Sequence, residues 1–168
     1  MNLVAYKGMR GKLKSLRCRY MAKSRVINAN AKSESFEFVN FRGAHFKNVN
    51  FENAVFYGCD FWGTKFHKCK FHNVKFQDCV FMACILKKCN FKGAKFSYIT
   101  IVNTNLSDCA NLDISSGVTQ YNVYPKYNVT AELKTVLDIL KDDYNLKKNK
   151  LLFITNKKYN DLNLFLLE

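Results

Sequence analysis

Residues 36–106 read FEFVN FRGAH FKNVN FENAV FYGCD FWGTK FHKCK FHNVK FQDCV FMACI LKKCN FKGAK FSYIT IVNTN L. Every block of five opens on a large apolar side chain. It is Phe at Phe36, Phe41, Phe46, Phe51, Phe56, Phe61, Phe66, Phe71, Phe76, Phe81, Phe91 and Phe96, and otherwise Leu86, Ile101 or Leu106. Two residues before each stands a second, mostly small series: Val39, Ala44, Val49, Ala54, Cys59, Thr64, Cys69, Val74 and onward to Thr104. Only Glu34, at the start, clearly breaks it. A period of five matches neither the 3.6 of a helix nor the 2 of a flat strand. It is the mark of a repeat architecture.

The large residue and the one two before it share a direction if the stretch between them is extended. The other two residues of each five must then turn a corner. Four right-angled corners close a square, so one coil takes twenty residues, and coils stack as parallel strands about 4.8 Å apart. The corners need a permissive backbone. Gly43, Asn48, Asn53, Gly58, Gly63, Asn73, Asp78, Gly93 and Asn103, each two after a large residue, supply it.

Units such as AHFKN, VNFEN, AVFYG, CDFWG and TKFHK, running on to TNLSD, resemble the pentapeptide-repeat family, whose units read roughly Ala-Asp/Asn-Leu/Phe-X-X. The resemblance covers about half the chain. It implies an all-β fold, a right-handed quadrilateral parallel β-helix; the handedness comes from the resemblance and the square solenoid from the period. A small C-terminal α-helical annex completes the expected architecture.

The 168 residues suffice for one domain with small appendages. No apolar run is long enough to cross a bilayer, and the first twenty residues lack the apolar core of a secretory signal. Seven cysteines point to a reducing, cytoplasmic setting. Six of them continue the small inward series. Cys59 and Cys79, and Cys69, Cys89 and Cys109, fall twenty apart, close enough on stacked coils for a disulfide by distance. The favoured reading is that Cys fills space as a small apolar residue. A zinc site is disfavoured, because the inward series holds no His and the close ligand pairs are missing.

The formal charge of +14 is uneven. Residues 1–33 hold nine Lys/Arg and no Asp/Glu; residues 34–113 hold ten and seven; residues 114–168 hold eight and six. Four segments follow. Residues 1–33 are a basic cap or degenerate first coil. Running the register backward through Leu16, Met21, Val26 and Ala31 would put Lys14 and Arg19 at inward sites, and Leu13, Leu16, Tyr20 and Met21 also share a helical face. A coil from about residue 20, behind a partly exposed basic stretch, is favoured. Residues 34–113 are the β-helix. Residues 114–130, with the only proline, Pro125, read as a connecting loop. Residues 131–168 are a helical cap or dimerisation annex. There Thr130 caps a helix with the stripe Leu133, Val136, Leu137 and Leu140, LLFIT reads as a short strand or part of a helix, and Asp161 to Glu168 has helical spacing.

Sorting outward residues by face gives two candidate surfaces. Trp62, Met82 and Val102, flanked by Val80 and Ala83, form an apolar column suited to a contact, either with the chain's own C-terminal helix or with a partner. The next face carries Lys47, Lys65, Lys68, Lys87 and Lys88 with His45 and His67, and Asp108 as its only acid. That stripe suits phosphates or an acidic protein, although outward Lys also serves simply to solvate a rod. Lys12, Lys14, Arg17 and Arg19 offer a further anionic-partner surface.

No Ser/His/Asp set, phosphate-binding glycine loop or carboxylate pair stands in register for catalysis. The sequence therefore predicts no enzyme, cofactor or metal. The leading expectation is a scaffold or binding protein presenting a rigid rod to an unidentified protein partner, with homodimerisation through the annex as an option. Two alternatives stand beside it. The resemblance includes a branch that binds DNA gyrase or topoisomerase IV, but that branch depends on an acidic surface and this chain is basic. The other is binding of nucleic acid or an anionic membrane through the basic N-terminal segment.

Overall fold

The computed structural model describes residues 7–114, 116–123 and 129–143, together with the backbone of 153–155 and 160–162. The chain divides into two units, Met1–Val123 and Tyr124–Glu168.

The first unit is a square parallel β-solenoid with a twenty-residue coil. Phe36 pairs with Phe56, Phe56 with Phe76, and Phe76 with Phe96. On another side Val26, Phe46, Phe66 and Leu86 pair in turn. The parallel sheet Leu16–Arg17, Ser35–Glu37, Val55–Tyr57, Lys75–Gln77 and Lys95–Ser97 makes one face. Its counterpart is built of Lys7–Lys12, Arg25–Asn30, His45–Lys47, Lys65–His67 and Ile85–Lys87. The two remaining faces are joined mainly by single bridges, such as Asn40 to Asp60 and Asn50 to Lys70.

The corners explain the period. Every fifth residue from Cys18 to Asn103 has a positive φ, whatever its type. Gly and Asn adopt this conformation cheaply, but Phe38, Lys68, Ala83, Lys88 and Tyr98 adopt it too. Stacking in the solenoid overrides local preference there. On alternate corners the Asn or Asp just before the large residue closes the bend. The Asn40 and Asn50 side chains accept the backbone N–H of Arg42 and Glu52 at 3.0 Å, and Asp60 accepts that of Trp62 at 2.9 Å. This local Asx turn is the physical content of the Asp/Asn in the repeat unit.

The interior is filled by aromatic columns. Phe36 stacks on Phe56 at 4.9 Å and Phe56 on Phe76 at 5.1 Å, while neighbouring columns meet edge to face, as Phe41 meets Phe46 at 5.4 Å. The Phe residues from 36 to 76 that open the blocks are no more than 1% exposed. Burying each contributes about 1.5–3 kcal/mol. The small series does more than fill space. Thr64 donates its hydroxyl to the Phe41 carbonyl at 2.7 Å, and Cys84 donates its thiol to the Phe61 carbonyl at 2.8 Å, each bond spanning 23 residues. Cys59, Cys69, Cys79 and Thr104 repeat this contact with the preceding coil. All seven cysteines are free thiols.

Both ends of the solenoid extend beyond the expected limits. The coil starts at Lys7, not near residue 20: Lys7–Lys12 pairs with Arg25–Asn30, and Leu13, Met21, Val26, Ala29 and Ala31 join the core. Lys14 and Arg19 do not point inward but are exposed. Glu34, the exception in the small series, serves this first coil. Its carboxylate accepts the Ser15 N–H at 2.7 Å and hydroxyl at 2.6 Å, and pairs with Lys12 at 3.3 Å. At the other end, residues 114–130 are not simply a loop, because Val118–Tyr121 forms a further parallel rung on Ile99–Val102. Its partners lie nineteen residues apart instead of twenty, so counting in fives loses it.

In the second unit, the helix Ala131–Asp142 begins where Thr130 accepts the Leu133 N–H. Leu137 is buried, whereas Leu133 and Val136 are 40% and 51% exposed. Phe153–Thr155 pairs antiparallel with Asn160–Leu162. Asp161 and Leu162 therefore lie in a strand, not in the helix their spacing suggested; residues 163–168 lie outside the described residues. Among the described residues, no helix is long and apolar enough to cross a membrane.

Candidate functional site: the cationic face

Outward side chains on parallel rungs fall into ladders. Arg25 lies beside His45, His45 beside Lys65, and Lys65 beside Ile85. The second ladder runs Ile27, Lys47, His67 and Lys87. Lys68 and Lys88 occupy the following corners, both at positive φ. The structure thus brings Lys47, Lys65, Lys68, Lys87 and Lys88 onto one face, with His45 and His67 between them. Arg25, read in the sequence as part of the basic N-terminal segment and not of this face, extends the row by one rung. The signal was there in Val26, an inward residue of the backward register.

The local field follows from this crowding. Burial, then Arg25, Lys65, His67 and Lys47, holds the His45 imidazole below its ordinary pKa. The acids in ion pairs lie elsewhere. Glu34 pairs with Lys12, Glu37 with Arg17, Glu52 with Lys32 and Lys70, and Asp60 with Arg42. Lys12 and Arg17 of the N-terminal set thus face carboxylates, while Lys14 and Arg19 are exposed cations on the first coil.

The apolar column does not form an open surface. Val80, Met82 and Val102 are only 4%, 1% and 0% exposed, and they lie outside the interior aromatic cluster. Trp62 is half-buried, with the Arg42 guanidinium over its ring at 5.2 Å. Beside it Asp60 is buried, and burial raises its carboxyl above the ordinary range against the pull of Arg42.

Four of the inward thiols are poorly placed for nucleophilic chemistry. Burial pushes those of Cys59, Cys69 and Cys84 up, and that of half-buried Cys109 up to about 12. Among the described residues, no three His, Cys, Asp or Glu side chains come together as metal ligands.

Comparison with known proteins agrees with this geometry. The pentapeptide repeat region model matches residues 29–106. HetL, a pentapeptide repeat protein involved in heterocyst differentiation regulation from the cyanobacterium Nostoc sp. strain PCC 7120, superposes with a TM-score of 0.54 at 12% identity over 62% of this chain. The match covers 47% of HetL, so the chain spans about half that protein's length. A pentapeptide repeat protein from Nostoc PCC 7120, alr5209, gives 0.45 at 17% identity, over 61% of this chain and 84% of its own. Full-length QnrB1, a plasmid-mediated fluoroquinolone resistance protein, gives 0.19 at 13% identity, over 81% and 100%. The HetL likeness shows the fold alone, and the other two carry no argument. No curated protein matches the sequence.

Proposed function

Through residues 29–106 this chain belongs to the pentapeptide-repeat family, and on that premise we propose that it is a non-catalytic scaffold whose outer faces hold a macromolecular partner. One observation carries the reading. The interior is occupied by stacked Phe rings, so the chemistry available to another molecule is the outward side chains on their fixed rungs. A protein partner is the first expectation. The free, largely buried cysteines suit the reducing cytoplasm. Exposed Leu133 and Val136 give the annex an apolar face for pairing with a second copy.

A gyrase-binding role draws no support from the charge, since a mimic of DNA needs an acidic face, and Glu37, Glu52 and Asp60 are each paired with a cation. Direct binding of gyrase by the protein, assayed without DNA, is not expected.

The test is capture of partners by the full chain and by variants that each neutralise one face while keeping the β-solenoid circular dichroism. A bound macromolecule retained by the parent and lost with one face alone supports the reading. Equal retention by every variant overturns it.

A further inference from the structure

We infer that the face bearing Arg25, Lys47, Lys65, Lys68, Lys87 and Lys88 binds the phosphate backbone of duplex nucleic acid without reading its sequence. The inference rests on the reading above, that the outer faces are the working surfaces, and names the occupant of one.

The first support is uncompensated charge. Among the described residues, Asp108, stacked over Lys88, is the only carboxylate of this face. Glu34, Glu37, Glu52 and Asp60, which hold the solenoid's ion pairs, all lie off it. Six like charges kept together on one sheet repel one another. An arriving polyanion relieves that repulsion and releases its own counterions.

The second is spacing. The cations lie on four successive rungs, a span of about 14 Å at about 4.8 Å per step. A duplex presents one negative charge per about 1.7 Å of its axis, so phosphates within reach outnumber the cations. Stacked coils hold the row rigid, and little ordering entropy is lost on binding.

The third separates the candidate occupants. A protein interface is organised round aromatic and apolar anchors, and among the described residues this face offers Ile27 and Ile85. Single strands are held by aromatic rings on which bases stack. The exposed Tyr20 and Tyr98 belong to other faces. A polar, strongly positive and anchor-free surface matches the backbone of a duplex, and a flat sheet with no protruding helix or ribbon to enter a groove reads no sequence.

The experiment is fluorescence anisotropy of the full chain with short labelled duplexes of two unrelated sequences, across about 50 to about 200 mM salt. Equal affinity for both is expected, falling steeply with salt. The triple variant Lys65→Gln/Lys68→Gln/Lys87→Gln should flatten the slope of log K against log salt by roughly 0.9 per cation removed. A control of equal charge change on other faces, Lys75→Gln/Lys92→Gln/Lys95→Gln, should keep the parent slope. All six positions are exposed, so both variants should retain the parent urea midpoint. Equal loss in the two variants, preference for single strands or polyglutamate, or no duplex binding at the lowest salt would each overturn the inference. If a face variant still lost a partner in the capture experiment, the broader reading would stand without it.

Discussion

Arg42 and Asp60, eighteen residues apart in sequence, meet across adjacent coils: the Arg42 Nε donates to Asp60 Oδ2, and the Asp60 side chain is 1% exposed. Such a pair is costly to assemble and more costly to break on one side. Arg42→Ala should destabilise by about 3–5 kcal/mol, because the carboxylate stays buried without its partner. Asp60→Asn should cost less, since Asn40 already fills the same place one rung away and makes the same Asx turn. Asp60 has a raised pKa in the fold. Its charged form is therefore disfavoured, and stability is lost as pH rises from the unfolded value through the folded one. In Arg42→Ala this window should widen, so acidification should recover part of the loss. Denaturant melts over a pH series would show it; a pH-independent deficit would refute the account.

The aromatic columns predict a graded response. Phe56 lies between Phe36 and Phe76 and is 1% exposed, whereas Phe96 ends its column half-buried. Phe56→Ala should cost about 3–5 kcal/mol, and Phe96→Ala clearly less. Equal losses in guanidinium melts would contradict nearest-neighbour stacking as the source of stability.

Two corner glycines should differ for a steric reason. Both Gly58 and Gly63 have positive φ, and Gly63 has nothing closer than 3.9 Å to an added Cβ. Gly63→Ala should cost about 1–2 kcal/mol from the left-handed backbone. At Gly58 the Cβ would come within 2.6 Å of the Phe38 ring, so Gly58→Ala should cost more. Phe38→Ala should remove that excess in a double-mutant cycle. Independent, additive losses would sink the explanation.

The thiols should react in two classes. Cys18 is exposed and five others are buried. A thiol reagent should label Cys18 rapidly in the native protein, and all seven cysteines only after denaturation. Rapid native labelling of Cys59 or Cys79 would mean that the coils open more readily than their packing implies.

The crowded cations should be visible in a titration. His45 is held below its ordinary pKa of about 6.5, partly by Arg25 and Lys65. Its neutral form is favoured in the fold, so its contribution to stability is full above the ordinary value and is lost as pH falls through the folded one. Arg25→Gln should move the His45 midpoint upward in an NMR titration. An unmoved midpoint would remove Arg25 from the causes of the lowering.

Legibility in the sequence varied with the origin of each feature. The inward series, the glycine and asparagine corners and the Thr130 cap were readable because each is a local requirement repeated in fixed register. The positive φ at Phe38, Ala83 and Tyr98 was not, since those residue types oppose it and only coil-on-coil stacking imposes it. The terminal rungs were hidden by shifts of one to three residues in pairing distance.

The five-residue period, by itself, determined a square solenoid, its interior and the grouping of five lysines on one side, because a strict register places every side chain relative to the next. Tertiary structure alone decided that Val80, Met82 and Val102 are closed to solvent, and that Cys and Thr bond the coil before them. Each of these depends on what the neighbouring chain covers or offers across space, and burial and partnership across twenty residues leave no mark in local spacing.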